Sequence, residues 1–79
     1  MTKKKMSFQV GDLIESIHEL SISNDDGTDE TSDGGEIFFV LEHEQSDGFN
    51  VGEYKLIRQK SLKISSWNVS GVGFNFNKV

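Results

Sequence analysis

The sequence predicts a small, mostly β domain of about five short antiparallel strands, arranged as a barrel or a sandwich. Three observations support this fold class. The chain has 79 residues, enough for one small core. Its apolar runs are short, and several of them alternate between two faces. Eight glycines and no proline separate these runs, as is typical of strands joined by turns.

The N-terminal residues 1–7 are basic and polar, and we predict that they form a flexible tail. The remaining residues 8–79 are predicted to form a single domain. Within it, residues 12–20 allow two interpretations. As a helix, the segment would have Asp12 as its N-cap and Glu15 at the capping-box position. We favour a strand because β segments follow it, and we keep an α+β fold with a helix at residues 12–20 as the alternative.

Four further strands are predicted after an acidic run: residues 36–44, 54–59, 61–67 and 72–79. The first has apolar side chains on both faces, which predicts burial on both sides. Asp47-Gly48 is a typical hairpin dipeptide and predicts a turn before the next strand. A second, tight turn is predicted at residues 60–61. In the last strand, Val72, Phe74 and Phe76 alternate with polar or small residues and are predicted to face the core.

The acidic run, residues 24–36, contains six carboxylates and no basic residue. We interpret it foremost as a mobile connector between strands, since like charges repel one another in an open loop. Docking of a partner through its charge is the second interpretation. Calcium binding is the third, because four acids stand at positions 1, 5, 9 and 12 of a possible loop, although Glu30 occupies the position that needs glycine. The acids are Asp25, Asp26, Asp29, Glu30, Asp33 and Glu36.

The order of the motifs resembles that of a known class of small barrels. FQVGDLI (8–14) is followed by a variable loop, GEIFFVLE (35–42), YKLIR (54–58) and a tryptophan-bearing strand. This layout is similar to SH3-like small β-barrels of the KOW type, including accessory proteins encoded by bacteriophages. The resemblance implies a barrel of about five strands, and the first loop of this chain would be longer and more acidic than the usual one. It also implies binding of RNA, DNA or protein, because such barrels serve all three.

The C-terminal half combines cations with aromatic rings, and three interpretations of this set remain open. Over nucleic-acid binding we favour the first, in which Tyr54 and Trp67 are core or rim residues of a hairpin and the lysines are ordinary solvated positions. Nucleic-acid binding modules join basic grooves to stacking rings, and the candidates here are Lys55, Arg58, Lys60 and Lys63. The net charge of −5 opposes binding to phosphate backbones, so this is the alternative. We favour a protein partner, with Trp67 and Arg58 as exposed anchors. Further contacts are predicted from Tyr54, Phe49, Asp25, Asp26, Asp29, Glu30 and Asp33.

Several classes of function are not expected. There is no cysteine, which excludes disulfides and thiol chemistry and fits the cytoplasm. The two histidines, His18 and His43, lie on separate segments among glutamates, which predicts solvent-facing side chains rather than catalysis. No metal, cofactor or membrane span is expected, and the oligomeric state is open. The sequence therefore predicts a non-enzymatic binding module, such as a bacteriophage accessory protein that engages a host or viral protein in the host cytoplasm.

Overall fold

The computed structural model describes residues 8–45 and 52–79. The predicted turn at Asp47-Gly48, the candidate anchor Phe49 and the predicted tail lie outside these residues. The described chain forms seven strands and one short helix, in the order β1 (Leu13–Ser16), β2 (Leu20–Ser23), β3 (Asp29–Ser32), β4 (Ile37–Gln45), β5 (Gly52–Arg58), β6 (Ile64–Asn68), α1 (Val69–Asn75) and β7 (Phe76–Lys78).

Five strands form one antiparallel sheet in the order β6-β5-β4-β1-β7, and β2 pairs with β3 as a separate hairpin. An isolated bridge between Asn24 and Ser65 joins this hairpin to β6. The mostly β class is confirmed. Among the described residues the sheet ends at β6 and β7, so it is not closed into a barrel.

The predicted opening strand is present as two shorter strands, and the helix considered for residues 12–20 is wrong. Ile14 and Ser16 are buried in β1, and Leu20 and Ile22 are buried in β2, so burial follows the two-residue period of a strand. Ser16 lies in the core because its hydroxyl is fully bonded. It donates to the carbonyl of Asp33 at 2.8 Å and accepts from the amide of Glu36 at 3.1 Å.

The acidic run is not a connector throughout, because residues 29–32 form β3. They pair with β2 in the register Leu20↔Ser32 to Ser23↔Asp29. The turn between the two strands is built by local hydrogen bonds. Asp26 accepts from the amide of Thr28 at 3.0 Å, a bond typical of an Asx turn, and Gly27 takes a φ of 92° that favours glycine.

The core lies between the inner face of the five-stranded sheet and the elements that cover it. Alternate residues of the central strands point inward, and β2 and α1 supply side chains from the other side. Tyr54 closes one end, since its hydroxyl accepts from the amide of Phe8 at 3.1 Å and donates to the Phe8 carbonyl at 3.0 Å. The core consists of Phe8, Ile14, Leu20, Ile22, Phe38, Val40, Tyr54, Leu56, Val72 and Phe76.

The predicted strand at residues 72–79 is wrong in its first half, where the chain forms α1. Val72 and Phe76 are buried, but Phe74 is 76% exposed. A strand would have put all three on one face, whereas a helical turn puts residues four apart on one face and turns the residue between them away. The tight turn predicted at residues 60–61 is confirmed, as residues 59–61 form a turn.

Asn68 begins α1 by capping it. Its backbone is extended, and its side-chain oxygen accepts from the amide of Gly71 at 2.7 Å. That bond satisfies an amide that has no partner within the helix. Val69, partly buried against the core, lies three residues before Val72 and extends the apolar stripe of the helix.

Replacing Phe76 or Phe74 distinguishes this helix from the strand that the sequence predicts. Phe76→Ala should lower the free energy of unfolding by about 3 to 5 kcal/mol, since it empties a buried site. Phe74→Ala should change it by less than about 0.5 kcal/mol, because its ring is in solvent. Urea unfolding followed by circular dichroism measures both, and Phe76→Leu serves if the alanine variant does not fold. Equal losses at the two positions would contradict the helix.

Candidate functional site

The acidic hairpin is in direct contact with β5, with β6 and with the basic residues that join these two strands. Lys55 Nζ lies 3.0 Å from Asp25 Oδ2, and Lys63 Nζ lies 3.1 Å from Asp26 Oδ2. The Ser66 hydroxyl also donates to Asp25 Oδ1 at 2.8 Å. These pairs join the tip of the hairpin to the outer strands of the sheet.

Arg58 is the centre of this contact and is nearly buried. Its guanidinium lies 2.7 Å from Glu36 Oε1 and 3.2 Å from Glu30 Oε1, one carboxylate on β3 and one just before β4. Ser61 donates to the same Glu30 oxygen at 2.9 Å. Lys60 approaches the second oxygen of Glu36 at 4.0 Å from a largely exposed position. The buried cation is thus held between two carboxylates, as a charge out of water requires.

The basic residues predicted to bind nucleic acid are therefore in contact with the acidic residues predicted to bind a protein partner. Lys55, Arg58, Lys60 and Lys63 each lie within 4.0 Å of a carboxylate from the run 24–36. The fifth cation of residues 8–45 and 52–79, Lys78, lies 3.5 Å from Asp12. Every lysine and arginine in this part of the chain has an acidic neighbour, which lowers its attraction for phosphate.

The contacts lower the pKa values of the carboxylates on the hairpin. Hydrogen bonds from the Thr28 hydroxyl, the Thr28 amide and Lys63 lower the pKa of Asp26 to about 2. Hydrogen bonds from Lys55 and then Ser66 lower the pKa of Asp25. Burial opposes ionisation of Glu30, but bonds from Ser61 and Arg58 outweigh it and lower its pKa.

Glu36 behaves in the same way as Glu30. Burial disfavours its charged form, yet the amide of Asp33 and the guanidinium of Arg58 together lower its pKa. The ionised hairpin is therefore the form that the fold stabilises.

Arg58, a predicted exposed anchor, is buried, so the expectation of its exposure is wrong; the predicted contact Tyr54 is buried too. Tyr54 is in the core and Arg58 is enclosed by Glu30 and Glu36. Trp67 is partly buried, with its ring edge-to-face against Phe76 at 5.2 Å and its Nε1 donating to Ser65 at 2.7 Å. These side chains serve the fold, because alternation along β5 turns Tyr54 and Arg58 inward.

The carboxylates suggested for calcium do not form a binding loop. Asp29 is exposed on a strand, whereas Asp25 and Glu36 are paired with Lys55 and Arg58. No three acidic or histidine side chains within the described ranges are grouped so that they could hold a metal ion. Asp33 is exposed, and its contacts to Ser16 and Ser32 are made by its backbone carbonyl.

An apolar row on the outer face of the sheet was not predicted. Cross-strand partners share a face, and the register places Leu13 opposite Phe39, Phe39 opposite Ile57, and Ile57 opposite Ile64. The amide of Val79 donates to the Leu13 carbonyl at 3.0 Å, which adds Val79 at the other end. We call this set the outer band; it consists of Val79, Leu13, Phe39, Ile57 and Ile64.

The outer band is accessible to solvent although it crosses four strands and continues to Val79, the residue after β7. Val79 is 66%, Leu13 48% and Phe39 37% exposed, and the two isoleucines are half-buried. The prediction that the strand at residues 36–44 is buried on both sides is therefore wrong, since the outer face of β4 is open. The apolar residues on both faces of residues 37–41 indicated that this strand has an apolar outer face. Which residues of the other strands lie beside it could be seen only from the register of the strands.

Comparisons with protein families, with curated proteins and with solved structures find no match. No helix of the described residues has the length and apolar character needed to cross a membrane.

Removing Arg58 should destabilise the protein far more than removing Lys60. Arg58→Gln leaves two carboxylates without their buried cation, for which we expect a loss of about 3 kcal/mol in the free energy of unfolding. Lys60→Gln removes an exposed cation at 4.0 Å and should cost less than about 1 kcal/mol. Urea unfolding at pH 7 measures both. Similar small losses would show that the cluster around Arg58 does not hold the hairpin.

The stabilising effect of Asp26 should disappear in acid. Its pKa of about 2 in the folded protein lies below the value of about 3.9 for an unfolded chain. The contribution is therefore complete above about pH 5 and is lost as the pH falls towards 2. A carboxyl-carbon NMR titration should give the low pKa, and the difference in urea midpoint between wild type and Asp26→Asn should narrow over this range. A pKa near 3.9 would contradict the contacts to Thr28 and Lys63.

Proposed function

We propose that this chain is a non-enzymatic binding module that engages a protein partner through the outer band. The exposed apolar row across β6, β5, β4 and β1, continued by Val79 after β7, is the observation that carries this proposal. Contiguous apolar surface is a common mark of a protein interaction site, whereas single exposed apolar residues are ordinary. Phe39 lies at the centre of the row, where an aromatic side chain acts best as an anchor.

Two other features support binding rather than catalysis. A groove on the hairpin, lined by Ser21, Ser23, Asp29 and Thr31 among others, is shallow and open to water. Chemistry at such a surface would have no shelter from solvent. The pairing of Lys55, Arg58, Lys60 and Lys63 with carboxylates lowers their attraction for phosphate, which supports a protein partner over a nucleic acid.

The resemblance to SH3-like barrels supplies the cellular context of the proposal. The segments that carry it lie in β1, β4, β5 and β6, which are three pairs of neighbours in the sheet. We place the protein among small bacteriophage accessory proteins that engage a host or viral protein. The lack of cysteine supports a place in the cytoplasm.

Polar substitutions in the outer band should abolish partner binding without unfolding the protein. The double variant Leu13→Ser/Phe39→Ser should recover its partner from the native cell at less than about a tenth of the wild-type yield, because two central contacts are lost. Affinity purification with quantitative mass spectrometry measures the yield.

Phe74→Ser is the matched control, since its aromatic ring is also exposed but lies on α1, away from the band. It should retain the wild-type yield, and circular dichroism should show that all three proteins are folded. Undiminished recovery of the same partner by the double variant would contradict the proposal.

A further inference from the structure

We propose that the partner segment seated on the outer band is an amphipathic α-helix with a basic polar face. This inference rests on the proposed function and names the chemistry of its ligand. It follows from the spacing of the band, from the hydrogen bonding of the sheet beneath it and from the charges at its margins.

The spacing of the band fits a helix better than an extended segment. Neighbouring strands are about 4.8 Å apart, so the five side chains span roughly 19 Å. A helix presents an apolar residue about every 5.4 Å along its axis, once a turn. An extended chain presents one about every 6.7 Å, at every second residue. Over four intervals, the apolar residues of a helix would span roughly 2 Å more than the band, and those of an extended chain roughly 8 Å more.

The position of the band on the sheet also favours a helix. Leu13, Phe39 and Ile57 belong to paired strands whose backbone groups are directed to their neighbours within the sheet. An extended peptide on this face would find no backbone partners there and would leave its own polar groups unsatisfied. A helix satisfies its backbone internally and needs only an apolar stripe to bind.

The margins of the band carry negative charge. Glu15 lies opposite Ile37 on the outer face at one margin, and Glu42 lies opposite Lys55 at the other. Lys55 is already bound by Asp25, so it does not neutralise this face on its own. A helix with lysine or arginine on both sides of its apolar stripe would place cations near Glu15 and Glu42.

The net charge of the domain also favours a basic partner. All of the 13 acidic residues except Asp47 belong to the described ranges, together with five of the eight basic ones. Those five cations are each beside a carboxylate. The remaining negative charge would attract a basic segment and repel an acidic one.

A second copy of the chain is a weaker candidate for the same surface. The face around the band measures roughly 19 Å by 14 Å, or about 270 Å² for each copy, against about 800 Å² in a stable complex. Two copies would also bring their carboxylate margins together.

Selection from a random 16-residue peptide library on the full-length protein tests the inference. We expect enriched peptides to carry apolar residues at i, i+3 or i+4, and i+7, with lysine or arginine between them. Their binding, measured by calorimetry, should fall at least tenfold for Leu13→Ser/Phe39→Ser and remain unchanged for Phe74→Ser. NMR should show that the bound peptide is helical, and the largest chemical-shift changes in the protein should lie around Phe39.

The role of the margins has its own matched variants. Glu15→Gln/Glu42→Gln should weaken the enriched peptide several-fold, whereas Glu19→Gln, an exposed carboxylate between β1 and β2, should leave it unchanged. If the double variant and Glu19→Gln weakened peptide binding equally, or if neither changed it, the inference that the helix has a basic face would be overturned.

Other outcomes separate this inference from the proposed function. Peptides that depend on the band but are extended, proline-rich or acidic would overturn the helix and leave the binding role intact. A dimer at micromolar concentration that Leu13→Ser/Phe39→Ser disrupts would assign the band to a second copy and overturn the inference. Peptides whose binding ignores the band would overturn it too, and the native-cell purification would then decide the proposed function independently.

Discussion

The insertion of Arg58 between Glu30 and Glu36 is the interaction on which the arrangement of this molecule depends. A two-stranded hairpin is marginally stable by itself, and β2–β3 has few apolar side chains to hold it in place. Leu20 and Ile22 anchor one face of β2 in the core, but β3 consists of polar residues. Its position against the sheet therefore rests on the buried guanidinium of Arg58 and on the Ser16 hydroxyl, which donates to the carbonyl of Asp33 just after β3.

This interaction also determines the structural role of the charged residues. The sequence separates an acidic first part from a basic second part, which suggested two independent binding surfaces. In the fold these parts lie against each other, and the pKa values of Asp25, Asp26, Glu30 and Glu36 are lowered as a result. The charges thus hold the hairpin to the sheet, and the surface that we propose for a partner is the apolar outer band.

The sequence predicted the central strands well because their signals are local. Tyr54, Leu56 and Arg58 alternate inward along β5, and a run of apolar residues marks β4. The hairpin was missed because the side-chain contacts that hold it to the sheet join residues 17 to 41 positions apart, which no local pattern shows. Helix α1 was missed because Val72 and Phe76 fit both a strand and a helix, and only the exposure of Phe74 tells them apart.

The outer band depends on the same long-range information. Leu13, Phe39, Ile57 and Val79 each look like ordinary strand residues, and they form a row only through the register of four strand pairs. The inner face of the sheet is covered by β2 and α1, so its apolar residues are explained by the core. Nothing among the described residues covers the outer row to the same extent. Because these side chains contribute little to burial, they are free to serve recognition, whereas Trp67, Tyr54 and Arg58 are tied to the fold. A loss of binding on changing the band therefore reports on the surface itself, which a change at Trp67 or Arg58 would not.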